Sequence, residues 1–263
     1  MAVSIDLDGR RALVTGGGQS VGRGIALTLG VAGAEVAVND LVASRAEEVA
    51  AEIVAAGGRA FACAFDVTDF DGVMASVEGA GPFDILVNNA GNVGRPDTMG
   101  MGDFGMVVDT TPADWEPYLK VNLYGVMHCT RAALPGMIEG GWGRVITVIS
   151  DTARVGEPYM AAYSAAKAGA AGFSRSVARE VGRHGITVNC VAIATMRPPN
   201  APPDDELTEE QAAQLQKTVS RYIIRRRGTP DDVAALITFL ASPQASWITG
   251  QTYPLNGGYS VSL

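Results

Sequence analysis

The segment RALVTGGGQSVGRG, Arg11–Gly24, decides how the rest of the chain is interpreted. Its first residues, Arg11 to Thr15, are mostly apolar and predict a short buried strand. A glycine-rich turn follows directly, and the residues from Ile25 to Gly30 predict a helix after it. In this order of elements, glycines let the backbone approach a pyrophosphate and the helix N-terminus supplies N–H groups. The segment therefore predicts the dinucleotide-binding start of an α/β domain.

An acidic residue follows the second predicted strand, Glu35 to Asn39. A carboxylate at this place, Asp40, can accept hydrogen bonds from both ribose hydroxyls of an adenosine and would repel a 2′-phosphate. Asp40 therefore favours NAD over NADP as the cofactor. The alternative, an acidic turn residue that contacts no ligand, stays open.

The rest of the chain continues the alternation of strands and helices. Further strands are predicted at Ala60–Phe65, Phe83–Val87, Arg144–Ser150 and Ile186–Ala192. Helices are predicted at Ser44–Ala56, Asp69–Glu78, from Trp115 toward Met137, Tyr159–Gly182 and Thr208–Tyr222. Because no internal repeat or interdomain linker is visible, we expect one doubly wound α/β domain of Rossmann type over residues 1–263, with a mostly parallel central sheet flanked by helices.

Composition agrees with this fold and argues against several functions. Of 263 residues, 47% are hydrophobic, 18% are charged and 32 are glycine, which suits a sheet covered on both faces. The formal net charge of −8 argues against attraction to nucleic acid or to an anionic membrane. A small molecule is therefore the expected partner.

The cysteines and the N-terminus bear on the compartment. Cys63, Cys129 and Cys190 are widely spaced in apolar contexts, so they predict buried thiols rather than disulfides or a metal site. The first residues lack a secretory pattern, and no segment has the roughly 20 apolar residues that span a bilayer. The expected compartment is the cytoplasm.

Three polar residues near the fifth predicted strand form a candidate catalytic set. Tyr163 and Lys167 share one face of a predicted helix, which brings their β-carbons to within about 5–6 Å. A close ammonium stabilises a phenolate and lowers the phenol pKa from its reference value of about 10. Ser150 ends a strand, at the edge where open α/β sheets bind ligands, so its hydroxyl could hold a substrate oxygen. A surface tyrosine and a solvated lysine would give the same spacing.

Taken together, these motifs resemble the short-chain dehydrogenase/reductase family, which includes 3-oxoacyl reductases. The resemblance extends over most of the chain and includes Tyr163-Ser-Ala-Ala-Lys167, Asn88-Asn-Ala-Gly91 and Asn256-Gly-Gly258. It implies four catalytic residues, which are Ser150, Tyr163, Lys167 and Asn122. Asn122 would order a proton-relay water from within its helix, and Lys167 would also bind the nicotinamide ribose.

The resemblance also implies which residues contact the dinucleotide. They are Gly16, Gln19, Ser20, Val21, Gly22, Asp40, Asp66, Val67, Asn89, Ala90, Gly91, Tyr163, Lys167, Ile193 and Thr195. Gln19 is uncharged where NADP-dependent members often carry a base, which agrees with NAD.

The sequence departs from the family pattern at two places. Ser20 stands where the family has its middle glycine, and we expect either a small shift of the turn or a hydroxyl that donates to phosphate. Ile193, Ala194 and Pro198 replace a Pro-Gly pair and a threonine that contacts the nicotinamide amide. We expect dinucleotide binding to be retained, with backbone groups at Ile193 or with Thr195 replacing that contact.

Two segments, at about residues 92–112 and 195–227, are expected to cover the substrate. Glycines and methionines in the first suit a lid or an oligomer contact, but a tolerated surface insertion would look the same. The second ends in Arg225-Arg-Arg227, which could bind phosphate or carboxylate but is more often a solvated charge run. Asp151, Arg154 and Glu157 place unusual charge between the catalytic serine and tyrosine, and we expect them to distinguish the substrate.

The predicted activity is reversible hydride transfer between NAD and a secondary alcohol or ketone, with Tyr163 as the general acid/base. No metal is predicted. The substrate stays open among hydroxyacyl thioesters, cyclic or aromatic alcohols, sugar alcohols and steroids. Two alternatives remain, a non-catalytic dinucleotide-binding regulatory subunit and an isomerase or dehydratase on the same fold. The resemblance further implies a homo-oligomer, with a tetramer through the helices around Asn122 and Lys167 favoured.

Overall fold

A sheet of seven parallel strands forms the centre of the protein. The computed structural model describes residues 5–92, 105–197 and 206–261. The strands follow the order β3-β2-β1-β4-β5-β6-β7, and every pairing between them is parallel. They are β1 (Arg11–Val14), β2 (Glu35–Val38), β3 (Arg59–Ala62), β4 (Ile85–Asn88), β5 (Gly143–Ser150), β6 (Ile186–Ile193) and β7 (Thr252–Leu255). The predicted doubly wound fold is confirmed.

Helices cover both faces of this sheet. They are α1 (Ser20–Val31), α2 (Ala43–Ala55), α3 (Phe70–Ala80), α4 (Pro112–Leu119), α5 (Gly125–Gly140), α6 (Thr152–Val155), α7 (Ala161–Val181), α8 (Glu209–Val219) and α9 (Pro230–Ala241). Short 3-10 turns lie at Val107–Asp109, Gly182–His184 and Pro243–Ala245. Among the described residues, no helix is long and apolar enough to cross a bilayer.

Alternate side chains of strand β1 pack into two different apolar clusters. Ala12 and Val14 of β1 pack in one cluster with residues of α1, α2 and α9, whereas Leu13 packs with residues of α3, α5 and α7. Successive side chains of a strand point to opposite faces, and a parallel sheet is buried on both. This explains why β5 and β6 are buried along nearly their whole length, including polar residues such as Thr187 and Asn189.

The order of the strands reverses at β1, which pairs with β2 on one side and with β4 on the other. In open α/β sheets, ligands bind at such a switch point, in the crevice outside the carboxyl ends of the strands. The candidate residues Gly16, Asp40 and Ser150 all lie at or just after these ends. The topology therefore gathers residues from distant parts of the sequence at one edge.

The bounds of several predicted elements differ from the structure, and three of the differences are informative. Strand β3 ends at Ala62 rather than at Phe65, and beyond it the side chain of Asn39 donates to the carbonyl oxygens of Cys63 and Phe65. Helix α7 begins at Ala161 rather than at Tyr159, because Tyr159 has a left-handed φ of 67°. The helix predicted from Trp115 toward Met137 is divided into α4 and α5 by a π turn at Lys120–Tyr124.

Candidate active site

Ser150 and Tyr163 meet at the carboxyl end of β5. Each is 8% exposed, and their side chains share a hydrogen bond. Burial raises the pKa of the Tyr163 phenol above its ordinary value, and the hydrogen bond to Ser150 acts in the opposite direction. The tyrosine is therefore protonated at neutral pH in the chain alone, and it lies where a substrate oxygen could contact both hydroxyls.

Lys167 lies one turn further along α7, with its ammonium nitrogen 6.0 Å from the centre of the Tyr163 ring. It donates to the carbonyl oxygen of Val148 at 3.0 Å. Burial lowers the Lys167 pKa to about 8. The sequence predicted that Lys167 lowers the pKa of Tyr163. In this structure burial has the largest effect on the phenol, and it raises that pKa.

Asn122 is completely buried in the π turn. Its Nδ2 donates to the Tyr118 carbonyl oxygen at 3.1 Å and to two oxygens of Asn92, at 2.8 and 3.0 Å. Its Oδ1 accepts from the backbone N–H of Asn92 at 3.3 Å. An extra residue in a helical turn of this kind frequently marks a functional site. Here it fixes Asn122 against the segment that follows β4.

Gly91 brings this asparagine and the lysine together. A β-carbon at Gly91 would lie 2.9 Å from Asn122 Oδ1 and 3.2 Å from Lys167 Nζ. The absence of a side chain therefore lets the backbone after β4 contact both polar groups. The four predicted catalytic residues thus converge on one region, although their chemical roles stay predictions.

The glycine-rich turn after β1 is joined to the Asn-Asn-Ala-Gly turn after β4. The Thr15 hydroxyl accepts from the backbone N–H groups of Asn89 and Ala90, both at 3.0 Å. Asn89 Nδ2 donates to the carbonyl oxygens of Thr15 and Gly16, again at 3.0 Å. Gly22 passes so close that a β-carbon there would lie 2.0 Å from the Gly16 carbonyl oxygen. The turn can therefore keep its shape only with glycine at this position.

Ser20 has a left-handed φ of 49°, a conformation that glycine adopts without strain. Ser20 therefore has a backbone conformation that favours glycine, and the serine is strained in it. Gln19, the N-cap of α1, is exposed, and within the described residues its side chain makes no capping hydrogen bond. Val21 is buried in the core, so only its backbone faces the turn. The uncapped N–H groups at the start of α1 suit an anionic phosphate.

Asp40 lies directly after β2 and is 6% exposed. Its two carboxylate oxygens accept from the backbone N–H groups of Gly18 at 3.2 Å and Val42 at 3.0 Å. Each oxygen keeps a further lone pair for a ribose hydroxyl. Because Gly18 belongs to the glycine-rich turn, the carboxylate and the proposed phosphate site are held in fixed relation.

The remaining predicted cofactor contacts follow two strands: Asp66 and Val67 follow β3, and Ile193 and Thr195 lie at or just after the end of β6. Asp66 is exposed after β3 and accepts from Thr68 N–H at 2.8 Å, and Val67 is buried with its carbonyl oxygen 3.0 Å from Nδ1 of His128. The His128 ring is thus satisfied by the backbone, as expected of a helix residue. Both Asp66 and Val67 follow β3, the strand that pairs with β2.

Backbone groups after β6 are largely engaged within the protein. The Ile193 carbonyl oxygen accepts from Asp151 N–H at 2.9 Å. The Thr195 N–H donates to the Tyr222 hydroxyl at 3.1 Å, and its carbonyl oxygen accepts from Gly228 N–H at 3.2 Å. The side chain of Thr195 is therefore the better candidate than these backbone groups to replace the family's nicotinamide contact. Pro198 lies outside the described residues.

The predicted substrate-covering segments are described only in part, because residues 93–104 and 198–205 lie outside the described ranges. In the described part of the second segment, Arg226 pairs with Asp232 through two contacts of 2.6 and 2.8 Å, and Arg225 donates to the Ser220 carbonyl oxygen. These arginines thus form intramolecular contacts, which favours the structural interpretation over anion recognition.

The charged loop residues also have partners within the chain. Arg154 donates to Asp151 at 2.7 Å, and Glu157 contacts Arg221 at 3.0 Å and Tyr259 at 2.5 Å. The expectation that these charges face the substrate therefore finds no support in their contacts. Within the described ranges, no group of three or more His, Cys, Asp or Glu side chains could hold a metal ion.

The parallel sheet, the glycine-rich turn and the acidic residue after β2 define a dinucleotide-binding protein of Rossmann type. Comparison with known proteins specifies the family. Residues 16–260 match the family model described as Enoyl-(Acyl carrier protein) reductase. A 7α-hydroxysteroid dehydrogenase of Escherichia coli is 35% identical over 97% of this chain and 96% of its own length. A 3-oxoacyl-[acyl-carrier-protein] reductase of Synechocystis is 38% identical over 94% and 95% of the two chains.

Solved structures agree with this assignment. A crystal structure of a protein named as a short-chain alcohol dehydrogenase, from Sinorhizobium meliloti, superposes with a TM-score of 0.85 at 34% identity, covering 99% of this chain and 100% of that one. The chain therefore belongs to the short-chain dehydrogenase/reductase family, as the motifs predicted, and is an oxidoreductase that binds a nicotinamide dinucleotide.

Proposed function

We propose that the protein is an NAD-dependent dehydrogenase or ketone reductase that interconverts a secondary alcohol and a ketone. The observation that carries this proposal is the convergence of Ser150, Tyr163, Lys167 and Asn122 at the carboxyl end of β5. These residues supply two hydroxyls, a buried cation and an amide within one region. Such a set can hold an alcohol oxygen and move its proton.

Each residue has a proposed role. In the oxidative direction, the Tyr163 phenolate takes the hydroxyl proton of the substrate, and Ser150 holds the same oxygen by a hydrogen bond. Lys167, when protonated, favours the phenolate by its charge and binds the nicotinamide ribose. Asn122 orders a water that connects Lys167 to solvent. When bound, the dinucleotide accepts or donates the hydride.

The residues present fit a dinucleotide and favour NAD. The uncapped start of α1 and the close approach of Gly22 to Gly16 suit a pyrophosphate. The Asp40 carboxylate, already fixed by Gly18, can accept from the ribose hydroxyls and would repel a 2′-phosphate. Exposed Gln19 brings no positive charge to that place.

We also propose a homo-oligomer, with a tetramer favoured. The helical segment around Asn122 carries exposed apolar side chains, with Tyr124 46%, Met127 36% and Ile138 39% exposed. Association of two such faces would remove this surface from water. Sedimentation equilibrium of the full chain tests this proposal, and a monomer at all concentrations would contradict it.

The experiment that tests the activity follows NADH absorbance with alcohols and ketones of four classes: acyl thioesters, cyclic or aromatic compounds, sugar alcohols and steroids. We expect turnover with NAD in at least one class and much weaker turnover with NADP. Conversion of substrate without net change in NADH would support the isomerase or dehydratase alternative. Binding of NADH without conversion of any compound would support a regulatory subunit.

A further inference from the structure

We propose that the C-terminal turn, residues 256–260, is a positioning element for the active-site loop between Ser150 and Tyr163. It contacts this loop at two places, at Asp151 with Arg154 and at Glu157, and so fixes the substrate side of the site. The expected effect on KM rests on the proposed function, because it needs a substrate that the protein turns over. The structural part of the inference can be tested separately.

The first contact is a buried carboxylate. Asp151 is 2% exposed, and its Oδ1 accepts from Arg154 at 2.7 Å while its Oδ2 accepts from Asn256 Nδ2 at 3.1 Å. The Asn256 amide also donates to the carbonyl and hydroxyl oxygens of Ser260, at 3.0 Å each. A buried carboxylate is tolerated only when its lone pairs are satisfied. The turn is therefore required to keep this part of the loop in place.

The second contact joins three segments of the chain. Glu157 accepts from the Tyr259 hydroxyl at 2.5 Å and from Arg221 at 3.0 Å. Arg221 follows α8, and its guanidinium also contacts the Tyr259 hydroxyl and lies 4.6 Å from the centre of that ring. Burial and the neighbouring Glu157 raise the pKa of Tyr259 to about 12, so this phenol remains a donor at physiological pH.

These contacts lie directly beside the reacting groups. Asp151 follows Ser150 in the chain, and the N–H of Thr152 donates to the Ser150 hydroxyl at 3.3 Å. A movement of the loop therefore changes the position of the hydroxyl relative to Tyr163. Misplacement of a catalytic group by 1 Å can lower a rate by about 100-fold. The charged residues of the loop thus act by holding its shape.

The kinetic test compares Arg221→Met and Tyr259→Phe with the matched control Arg59→Met. Arg59 resembles Arg221, because the two side chains are 56% and 53% exposed and each forms one ion pair, at 2.9 and 3.0 Å. We expect KM for the alcohol or ketone to rise about tenfold in the two test variants, the size of one charge-assisted hydrogen bond. The Kd for NADH should stay within about twofold, since no contact of the turn reaches Asp40.

A double variant, Glu157→Gln with Tyr259→Phe, measures the coupling. If the Glu157 and Tyr259 side chains act through one contact, KM should rise no more in the double variant than in the single variant, Glu157→Gln or Tyr259→Phe, that has the larger rise. Parallel loss of NADH affinity, substrate affinity and thermal stability would show a general structural role and overturn the proposal. Unchanged KM in Arg221→Met and Tyr259→Phe would overturn it as well.

Amide hydrogen exchange of the full chain provides a readout that does not depend on turnover. We expect loop residues 151–160 to exchange at least about threefold faster in Tyr259→Phe than in wild type, with no change in Arg59→Met. If wild type shows no turnover but the loop responds in this way, the proposed function fails and the positioning role stands. Unchanged exchange would refute the positioning role whatever the activity.

Discussion

The ammonium of Lys167 lies 6.0 Å from the centre of the Tyr163 ring and donates to the Val148 carbonyl oxygen at 3.0 Å. The cation is thus held by strand β5 rather than by the phenol. Burial lowers the Lys167 pKa to about 8 and raises that of Tyr163. Burial therefore disfavours the charged form of both groups, but a Lys167 with a pKa of about 8 is still mostly protonated at pH 7. The chain thus holds a buried charge here that serves the site rather than the fold.

The first prediction concerns Lys167→Met. We expect the variant to lose at least about 100-fold in kcat/KM but to be more stable at about pH 7, by roughly 1–3 kcal/mol, because it removes a buried charge. Between pH about 8 and 10.5, which are the pKa of Lys167 in the folded chain and its ordinary value, the unfolded chain binds more protons at this group than the folded chain. The stability contributed by Lys167 therefore rises with pH in that window.

Urea unfolding of both proteins at about pH 7 and about pH 9.5 measures this effect. The advantage of the Met variant should shrink at the higher pH, since the wild-type lysine is then largely neutral. A variant that is less stable than wild type at the lower pH would contradict the account. A difference in the free energy of unfolding that is the same at both pH values would also contradict the account.

The second prediction concerns Asp40→Asn. Asparagine keeps one acceptor for Gly18 or Val42 but loses the negative charge, so the preference for NAD over NADP should fall by about tenfold or more. The ratio of kcat/KM for the two cofactors measures it. Asp71→Asn, at an exposed carboxylate in the first turn of α3, is the control and should leave the ratio unchanged. An unchanged ratio in Asp40→Asn would remove the basis for assigning NAD.

The third prediction concerns the strained serine. Ser20→Gly should raise the free energy of unfolding by about 1 kcal/mol, because glycine adopts a φ of 49° without strain. NADH affinity should stay within about threefold. Ser20→Ala keeps the backbone strain and removes only the hydroxyl. Comparison of Ser20→Gly with Ser20→Ala therefore separates the effect of the strain from the effect of the hydroxyl. A tenfold loss of NADH affinity in both variants would show that the hydroxyl contacts the phosphate.

The fourth prediction concerns the buried amide of the π turn. Asn122→Ala removes hydrogen bonds to Asn92 and Tyr118 and should cost about 1–3 kcal/mol of stability. It should also lower kcat by about 10–100-fold, since the variant cannot order the water of the proposed proton relay. Asn189→Ala is a matched control, because Asn189 is 1% exposed and its amide is hydrogen-bonded to backbone groups, those of Ile248 and Gln251. Equal effects of both variants on kcat would contradict a catalytic role for Asn122.

The sheet and the gathering of the candidate residues could be predicted because their signals are local. Most of the strands are short and mainly apolar, and polar residues such as Ser150 and Asp40 stand at or just after their ends. Since parallel strands share one carboxyl edge, these residues had to meet there. The family motifs extended the prediction to Asn122 and to the glycine-rich turn.

Other features could not be predicted because they depend on residues far apart in the sequence. Glu157 and Tyr259 are separated by 102 positions, and Asp151 and Asn256 by 105, so nothing in the loop alone identified its partners. Without them, the loop charges were interpreted as facing the substrate. The direction of the Tyr163 pKa was likewise missed, because the spacing of Tyr163 and Lys167 says nothing about how deeply the phenol is buried.

The fifth prediction is the central one and concerns the Tyr163 hydroxyl. Tyr163→Phe should lower kcat with the substrate identified by the NADH screen at least about 1,000-fold, because it removes the group that we propose to transfer the proton. NADH should bind with a Kd within about twofold of wild type, since the ring and Lys167 remain. Tyr159→Phe, at a 58% exposed phenol at the end of the same loop, should keep its activity.

Parallel measurement of kcat and of the NADH Kd in Tyr163→Phe is therefore the most direct test. The account predicts an enzyme that binds the dinucleotide normally and turns over almost no substrate. Substantial residual turnover, with NADH binding intact, would contradict Tyr163 as the general acid/base.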